Sequence, residues 1–253
     1  MKILAVDTAL QAASACVLDG ETGEFEALES LPMERGHAEA LMPLIERICA
    51  RVEGGFPALS RVGVTVGPGS FTGLRVGLAA ARAIGLACGV PVVGVSTLAA
   101  LAAPLIVERR PEIVAAVVDA RHGAVYYAGF EPGGRALSLP RILPAAEAAA
   151  EIALAEAALR RHGGDPEAGA LVRLAGSGAG LVLRELERRG VGAEAAGENA
   201  PDIRFVARLA LAADPALAPP RPLYLKPADA KPQAPSVFVA APEAAGEAEG
   251  ATP

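Results

Sequence analysis

The stretch "GPGSFTGLRVG" at residues 67–77 lies between an apolar run and a long alanine-rich segment. It contains four glycines, Gly67, Gly69, Gly73 and Gly77. Glycine-rich turns between a strand and a helix often hold phosphate, but both common signatures fail here, because Thr72 stands where a Walker loop and a dinucleotide fingerprint need glycine. The stretch instead predicts the start of a helix, with Ser70 or Thr72 as its capping residue.

The segment from Phe71 to Cys88 is predicted to form that helix. Small residues recur every four positions, at Gly73, Gly77, Ala81, Gly85 and Gly89. Each glycine inside a helix costs about 1 kcal/mol relative to alanine, so the stripe indicates close packing along one face. Only Arg75 and Arg82 mark a polar flank. A helix this apolar is either internal to the subunit or covered by a partner chain, and the pattern leaves both readings open.

The residues before this helix predict a sheet. Residues 2–9, 14–19 and 23–30 read as three antiparallel strands joined by short turns. A helix follows, because apolar residues fall on one face at Leu41, Leu44, Ile45, Ile48 and Val52. Pro43 predicts a kink or a helix start within it. Residues 61–67 and 90–96 flank the apolar helix as buried strands, which predicts parallel pairing through a crossover.

A three-strand meander followed by strand–helix crossovers is the half-unit of the ribonuclease-H-like and actin-like architecture. The second half repeats the theme: two strands within 112–132 surround a turn at Arg121–Gly123, and residues 135–143 offer a third. The sequence predicts helices at 147–161, 181–189 and 202–213, and a strand within 170–180 that ends in a glycine turn. The predicted fold class is therefore α/β and actin-like, with two related subdomains at 1–105 and 106–227, each a mixed sheet flanked by helices, and a disordered tail at 228–253.

Composition limits the function classes. The chain has 253 residues, 52% of them hydrophobic, with 23 basic and 29 acidic residues and a net charge of -6. The basic residues are dispersed, which argues against nucleic-acid binding by the chain alone. The three cysteines have no regular spacing, so a disulfide framework or zinc site is not indicated. No uninterrupted apolar run reaches membrane-spanning length, and the expected location is the cytoplasm.

Few residues are candidates for a catalytic or ligand-binding role. His37 has Leu41 at i+4, so it lacks a second imidazole and is expected to be a capping or surface residue rather than a metal ligand. Asp7 and Asp119 end corresponding strands of the two halves, and Gly176 and Gly178 lie in the glycine turn at 175–180. These four are candidate vestigial nucleotide contacts. The sequence predicts no catalytic residue, metal or cofactor.

Several stretches together resemble one protein family. They are "ILAVDTA", "RGHAEALMPLI", "GPGSFTGLRVGLAAARAIGL", "VPVVGVSTLAALA", "DARHGAVYYAGF" and "PLYLKPADAKPQ". In this order, from residue 1 to about 233, they resemble the TsaB (YeaZ) family. The specific marker is "GPGSFTGLR" with "GVSTL" about twenty residues later.

The resemblance implies a function. Members have the actin-like fold and are non-catalytic partners of TsaD, the paralogue that transfers a threonylcarbamoyl group to adenosine beside the tRNA anticodon. The family's TsaE ATPase docks on the TsaB–TsaD heterodimer, and tRNA is met only through the complex. TsaD-type proteins carry an H-x-x-x-H metal pair that His37 and Leu41 leave incomplete. Ala124 stands where members often have Glu.

The resemblance also implies where the partner binds. The contact is a helical bundle built from the first two helices, carried here onto about 37–52 and 71–88, and an isolated chain could pair with itself through them. The expected interface residues are His37, Leu41, Leu44, Ile45, Ile48, Phe71, Gly73, Leu74, Gly77, Leu78, Ala81 and Gly85.

An enzyme remains the alternative. An actin-like ATP-dependent enzyme or a peptidase-type hydrolase would hold a nucleotide between Asp7, Asp119 and Gly176–Gly180. No base or nucleophile partner for either aspartate is evident in the sequence.

Overall fold

The computed structural model describes residues 1–108, 113–161, 172–196 and 199–226. The strands are β1 (Lys2–Asp7), β2 (Ala12–Asp19), β3 (Phe25–Pro32), β4 (Leu59–Gly67), β5 (Val92–Ser96), β6 (Ile113–Asp119), β7 (Ala124–Phe130), β8 (Arg141–Pro144), β9 (Val172–Ala175) and β10 (Glu194–Ala195). The helices are α1 (His37–Ala50), α2 (Phe71–Cys88), α3 (Thr97–Ile106), α4 (Ala145–Arg161), α5 (Ala179–Glu187) and α6 (Ile203–Ala212).

The first sheet has the order β3-β2-β1-β4-β5. Strands β1, β2 and β3 form an antiparallel meander, and β4 and β5 run parallel to β1. The edge strand β3 alternates between buried and exposed residues, whereas β1 is buried on both faces because helices cover both sides of the sheet. The predicted meander and parallel crossover are confirmed.

The second sheet has the order β10-β9-β6-β7-β8. It repeats the first, because β6, β7 and β8 form a meander and β9 and β10 run parallel to β6. This duplicated arrangement is the actin-like fold, so the predicted fold class is confirmed. The third strand was predicted within 135–143 but lies at 141–144, and only an isolated bridge between Phe130 and Ala136 forms near the predicted start. No sequence pattern indicated β10.

The helices sort into layers around the two sheets. Helices α1 and α2 pack on the outer face of the first sheet, and α4 and α5 on the outer face of the second. Between the sheets, α6 covers the first and α3 covers the second.

Helix α6 therefore packs on the first sheet although it lies near the other end of the chain. The Arg61 guanidinium donates to the carbonyl oxygens of Ala210, Leu211 and Ala213 at 2.7, 3.0 and 2.9 Å, which ties β4 to the carboxyl end of α6. A division of the chain at 105/106 stays a prediction, and the tail at 228–253 lies outside the described residues, as does residue 227.

The predicted bounds of α2 are confirmed. The Ser70 hydroxyl accepts a hydrogen bond from the Gly73 amide at 3.3 Å, and Gly89 ends the helix with a left-handed backbone at φ 66°. Helix α1 begins at His37 and continues past Pro43, so Pro43 does not start the helix.

Within the described part of the chain, α2 is the one helix long and apolar enough to cross a membrane, judged by length and composition. Its buried residues, 39% of the helix, pack on the first sheet.

Candidate functional site

The turn between β1 and β2 closes the start of α2. The Ser70 amide donates to the Ala9 carbonyl oxygen at 2.8 Å, and the Thr8 hydroxyl donates to the Gly73 carbonyl oxygen at 2.7 Å. A Cβ atom added to Gly69 or Gly73 would overlap the carbonyl oxygen of Ala9 or Thr8. The glycines of this loop are therefore required by the close approach of two backbone segments of the same chain.

The glycine stripe continues this contact along the inner face of α2. A Cβ on Gly77 would lie 2.5 Å from the Thr8 hydroxyl oxygen, and one on Gly85 would overlap a Val92 methyl group. The stripe thus packs α2 against β1, β4 and the segment leading into β5. Its small residues allow a helix to lie close to the sheet.

The predicted partner interface is corrected by this packing. All but one of its residues are buried within this chain, because they form the inner faces of α1 and α2: His37, Leu41, Leu44, Ile45, Ile48, Gly73, Leu74, Gly77, Leu78, Ala81 and Gly85. Phe71 is the exception, with 37% of its surface exposed. The small-residue stripe was predicted to contact a second chain, but it packs against the chain's own sheet.

The interpretation of His37 as a capping or surface residue is also wrong. Gly36 is the N-cap residue, and the His37 ring is buried. Its Nε2 donates to the Leu10 carbonyl oxygen at 3.1 Å, which anchors the β1–β2 turn to the first turn of α1.

The outer faces of α1 and α2 carry an apolar groove that the sequence analysis missed. The groove has a volume of about 600 Å³. We call this feature the outer groove. The residues that line it are all uncharged: Met42, Phe56, Pro57, Ala83, Ile84, Ala87 and Cys88. Leu86 stands beside these residues on α2 with 86% of its surface exposed. A second small-residue row, at Ala79, Ala83 and Ala87, was the signal in the sequence that could have located it.

The two candidate aspartates lie in different environments. Asp7 is fully buried, and its Oδ1 accepts from the Thr65 hydroxyl at 2.5 Å and from the Ala9 amide at 3.0 Å. Burial raises the pKa of Asp7 to about 6, against the opposing effect of these hydrogen bonds. Asp119 is exposed, and its Oδ1 accepts from the Arg121 amide at 2.7 Å.

A cleft of about 400 Å³ lies between the start of α2, the β6–β7 turn and residues 223–226. Asp119 lines it together with Leu10, whereas Asp7 is sealed beneath the β1–β2 turn. Thus the structure does not bring the two carboxylates together in the cleft.

The glycine turn after β9 has a packing role. A Cβ on Gly176 would overlap the Val117 carbonyl oxygen, and one on Gly178 would lie 3.2 Å from the Asp119 amide nitrogen. The Ser177 hydroxyl accepts from that amide at 3.1 Å, so the turn holds the end of β6. The described residues contain no group of three or more His, Cys, Asp or Glu arranged to hold a metal ion.

Comparison with known proteins identifies the family. The model described as "TsaD: tRNA N6-adenosine threonylcarbamoyltransferase" matches residues 32–191. The chain is 33% identical over 131 residues to the tRNA threonylcarbamoyladenosine biosynthesis protein TsaB of Escherichia coli, covering 52% of this chain and 55% of that one. It is 36% identical over 168 residues to an uncharacterized protein of Mycobacterium tuberculosis, covering 63% of this chain and 73% of the other.

A solved structure agrees with these sequence matches. YeaZ from Pseudomonas aeruginosa superposes with a TM-score of 0.66 at 26% identity, over 88% of this chain and 99% of that chain. The chain spans about half the length of the curated TsaB relatives that it matches. By the family model, the sequence relatives and the shared fold, the chain belongs to the TsaB/YeaZ group of the TsaD protein family.

Proposed function

We propose that this chain is a non-catalytic subunit that supports a TsaD-type transferase in forming N6-threonylcarbamoyladenosine beside the anticodon of tRNA. The named relatives supply the pathway, because the Escherichia coli relative is a tRNA threonylcarbamoyladenosine biosynthesis protein. The observation that carries the proposal is the uncharged outer groove on α1 and α2, with the exposed Leu86 beside it.

The outer groove has the chemistry of a protein-binding surface. Contiguous apolar surface on a soluble protein is normally covered by a partner, and here small alanines on α2 allow another helix to approach closely.

The sealed position of Asp7 supports a non-catalytic role. A phosphotransferase of this fold would present that carboxylate to a metal and a nucleotide, but here it is fully buried and accepts a hydrogen bond from the Ala9 amide. The "DTALQAA" turn has no glycine that would let its backbone approach a phosphate.

An enzyme is the second candidate, favoured only by the exposed Asp119 in the cleft. Isothermal titration of the isolated chain with Mg-ATP separates the two. Micromolar binding would favour an ATP-dependent enzyme.

The proposed interaction with TsaD is tested by co-purification of this chain with TsaD from the same organism and by titration of the two proteins. Leu86→Glu places a charge beside the outer groove, at the edge of the expected contact, so we expect the affinity for TsaD to fall about tenfold. Leu154→Glu is the matched control, because Leu154 is 71% exposed on α4, away from the outer groove. Equal TsaD affinity in both variants would contradict the proposed surface.

The remaining parts of the proposal concern assembly. TsaE docks on the pair, tRNA is engaged through the complex, and the proteins work in the cytoplasm. Without TsaD, a second copy covers the outer groove. Sedimentation with and without TsaD tests the homodimer, and a tRNA modification assay that omits each component in turn tests the dependence on this chain.

A further inference from the structure

The edge of the first sheet at β3 is open to a further strand. Within the described part of the chain, β3 has a neighbouring strand on one side only. Backbone N–H and C=O groups on the other side of such a strand can pair with any extended segment, so proteins usually block or cover them. Leu28, in the middle of β3, has 40% of its surface exposed. The edge therefore offers both hydrogen-bonding groups and an apolar contact.

A groove of about 460 Å³ lies beside this edge, between β3 and the start of α6. We call it the edge groove. Leu28, Ser30 and Pro32 line it from β3, and Ile203 and Arg204 line it from α6. Neighbouring strands of a sheet place their side chains on the same two faces. A strand added to β3 would therefore direct every second side chain towards the edge groove.

The other end of β3 carries a positive charge. Arg208 lies one turn beyond Arg204 on α6, and its guanidinium lies 5.5 Å from the Phe25 ring and 5.4 Å from the Phe205 ring. Among the residues that the structure describes, Arg208 forms no ion pair. A guanidinium in this position is suited to bind a carboxylate that approaches along β3.

The chain after Lys226 contains one segment that matches this edge. Its only large apolar residues are the three of "VFV" at 237–239, within "PSVFVAAPE" at 235–243. β-Branched and aromatic residues favour strands, and the proline on each side limits the length of the strand. The first acidic residue after this segment is Glu243. The apolar side chains match the edge groove, and the carboxylate matches the Phe25 end of β3.

The described chain ends near the edge groove. Lys226 lines the same cleft as Leu10, and the next residue, Gln11, lines the edge groove. Gln11 precedes Ala12, which pairs with the last residue of β3. Nine extended residues, 227–235, span about 30 Å. The segment can therefore enter at the end of β3 and run antiparallel to it.

We infer that residues 236–240 bind in cis along the open edge of β3, as an added antiparallel strand. Phe238 enters the edge groove beside Leu28, and Glu243 pairs with Arg208 at the far end. The short connection holds the segment at an effective concentration of about 1 mM, so a weak contact is sufficient. The inference goes beyond the proposed function and does not involve the outer groove.

The first test is hydrogen exchange of the full chain, followed by mass spectrometry. Phe238→Asp places a charge in the edge groove and should release the segment, so we expect the β3 amides to exchange at least tenfold faster. Ala230→Asp adds the same charge outside the segment and is the matched control, which should exchange like the wild type.

A charge swap tests the pairing at the far end. Arg208→Glu should speed exchange of the β3 amides about fivefold, and adding Glu243→Arg to the same chain should restore the wild-type rate. Arg161→Glu is the control, because Arg161 is exposed at the end of α4, on the second sheet.

The second test adds a fluorescent peptide of residues 234–245 and measures anisotropy. The full chain with Phe238→Asp should bind the peptide with a dissociation constant of about 100 μM or below. The wild type should bind it about tenfold more weakly, because its own segment occupies the edge. Phe238→Ala in the peptide should weaken binding about tenfold.

The inference is overturned if wild type and Phe238→Asp exchange alike at β3, if the peptide does not bind the Phe238→Asp chain, or if the charge swap fails to restore the rate. Self-association of the wild type that Phe238→Asp abolishes would mean that the segment binds a second copy, and would overturn binding in cis. Thermal melting confirms that each variant is folded. Changes at Leu86 should leave the exchange of β3 unchanged, so this inference and the proposed function fail separately.

Discussion

The inner and outer faces of α2 have similar compositions and opposite environments. The inner face holds Gly73, Gly77, Ala81 and Gly85 against the first sheet, and the outer face turns Ala79, Ala83, Leu86 and Ala87 to the surface. On the inner face, space limits the residue type, because backbone atoms and methyl groups of the same chain lie where side chains would go. On the outer face, Ala79, Ala83, Leu86 and Ala87 are exposed, so burial within the chain does not limit the residue type. A row of small residues thus indicates that another segment packs closely against the helix. It does not indicate whether that segment belongs to the same chain or to a partner.

The largest effect is expected at Gly73 on the inner face. In Gly73→Val, the new side chain would overlap the Thr8 carbonyl oxygen, a backbone atom that cannot move aside without disrupting β1. We expect a loss of about 4 kcal/mol or more in the free energy of unfolding, or failure to fold, measured by urea denaturation. Ala79→Val on the outer face is the control and should cost about 0.6 kcal/mol through helix propensity alone. Similar losses in both variants would remove the distinction between the faces.

Asp7, which lies beneath the inner face beside Thr8, gives a pH-dependent effect. Burial raises its pKa to about 6 in the folded protein, above the value in the unfolded chain. The folded state therefore holds the proton more tightly, and this stabilising contribution is present at low pH and is lost as the pH rises from about 4 through 6, by about 3 kcal/mol in all. Asp7→Asn keeps the oxygen that accepts from Thr65 and Ala9 but removes the ionisation.

The stability of Asp7→Asn relative to the wild type should therefore increase between pH 4.5 and 7.5 by about 2 kcal/mol, as measured by urea denaturation at each pH. Asp119→Asn is the control, because that carboxylate is exposed. A constant difference between Asp7→Asn and wild type across this range would mean that Asp7 is ionised in the fold.

A smaller effect is expected at Gly85, near the end of the inner face. Alanine should favour the helix, but its Cβ would overlap a Val92 methyl group and lie 3.1 Å from the Val90 carbonyl oxygen. We expect Gly85→Ala to lower the free energy of unfolding by about 1–2 kcal/mol, since overpacking outweighs the gain in propensity. If calorimetry shows a raised melting temperature instead, the inner face has free space at this end.

The smallest effect on stability is expected on the outer face. Leu86 is 86% exposed, so Leu86→Gln should change the free energy of unfolding by less than about 0.5 kcal/mol. In the same variant, binding to TsaD should weaken measurably. A large stability loss in the isolated chain would show that the outer face also belongs to the core.

Much of the fold could be predicted because its signals are local. Ser70 and Gly89 mark the two ends of α2, short apolar runs mark β1 and β2, and alternation marks β3. The strands of the second half were predicted less accurately, because β8 is short and β10 spans two residues. Short strands bury few residues, so their pattern is too brief to read.

The candidate site was predicted less well. The sequence located the two helices but chose residues of their inner, buried faces for the partner, because periodicity reveals that residues share a face and not what covers it. The burial of Asp7 could not be predicted either, since it depends on Ala9 and Thr65 meeting around one carboxyl group.

By itself, the sequence determined the order of strands and helices apart from β10, the bounds of α2 and the duplicated actin-like design, because caps, turns and periodicity act between residues close in the chain. Only the tertiary structure decided that the glycines face the chain's own sheet, that α6 returns to the first sheet, and that the apolar surface left open is the outer groove. The physical reason is that coverage of a surface depends on contacts between residues far apart in the chain, such as Arg61 with Ala210 and Thr8 with Gly73.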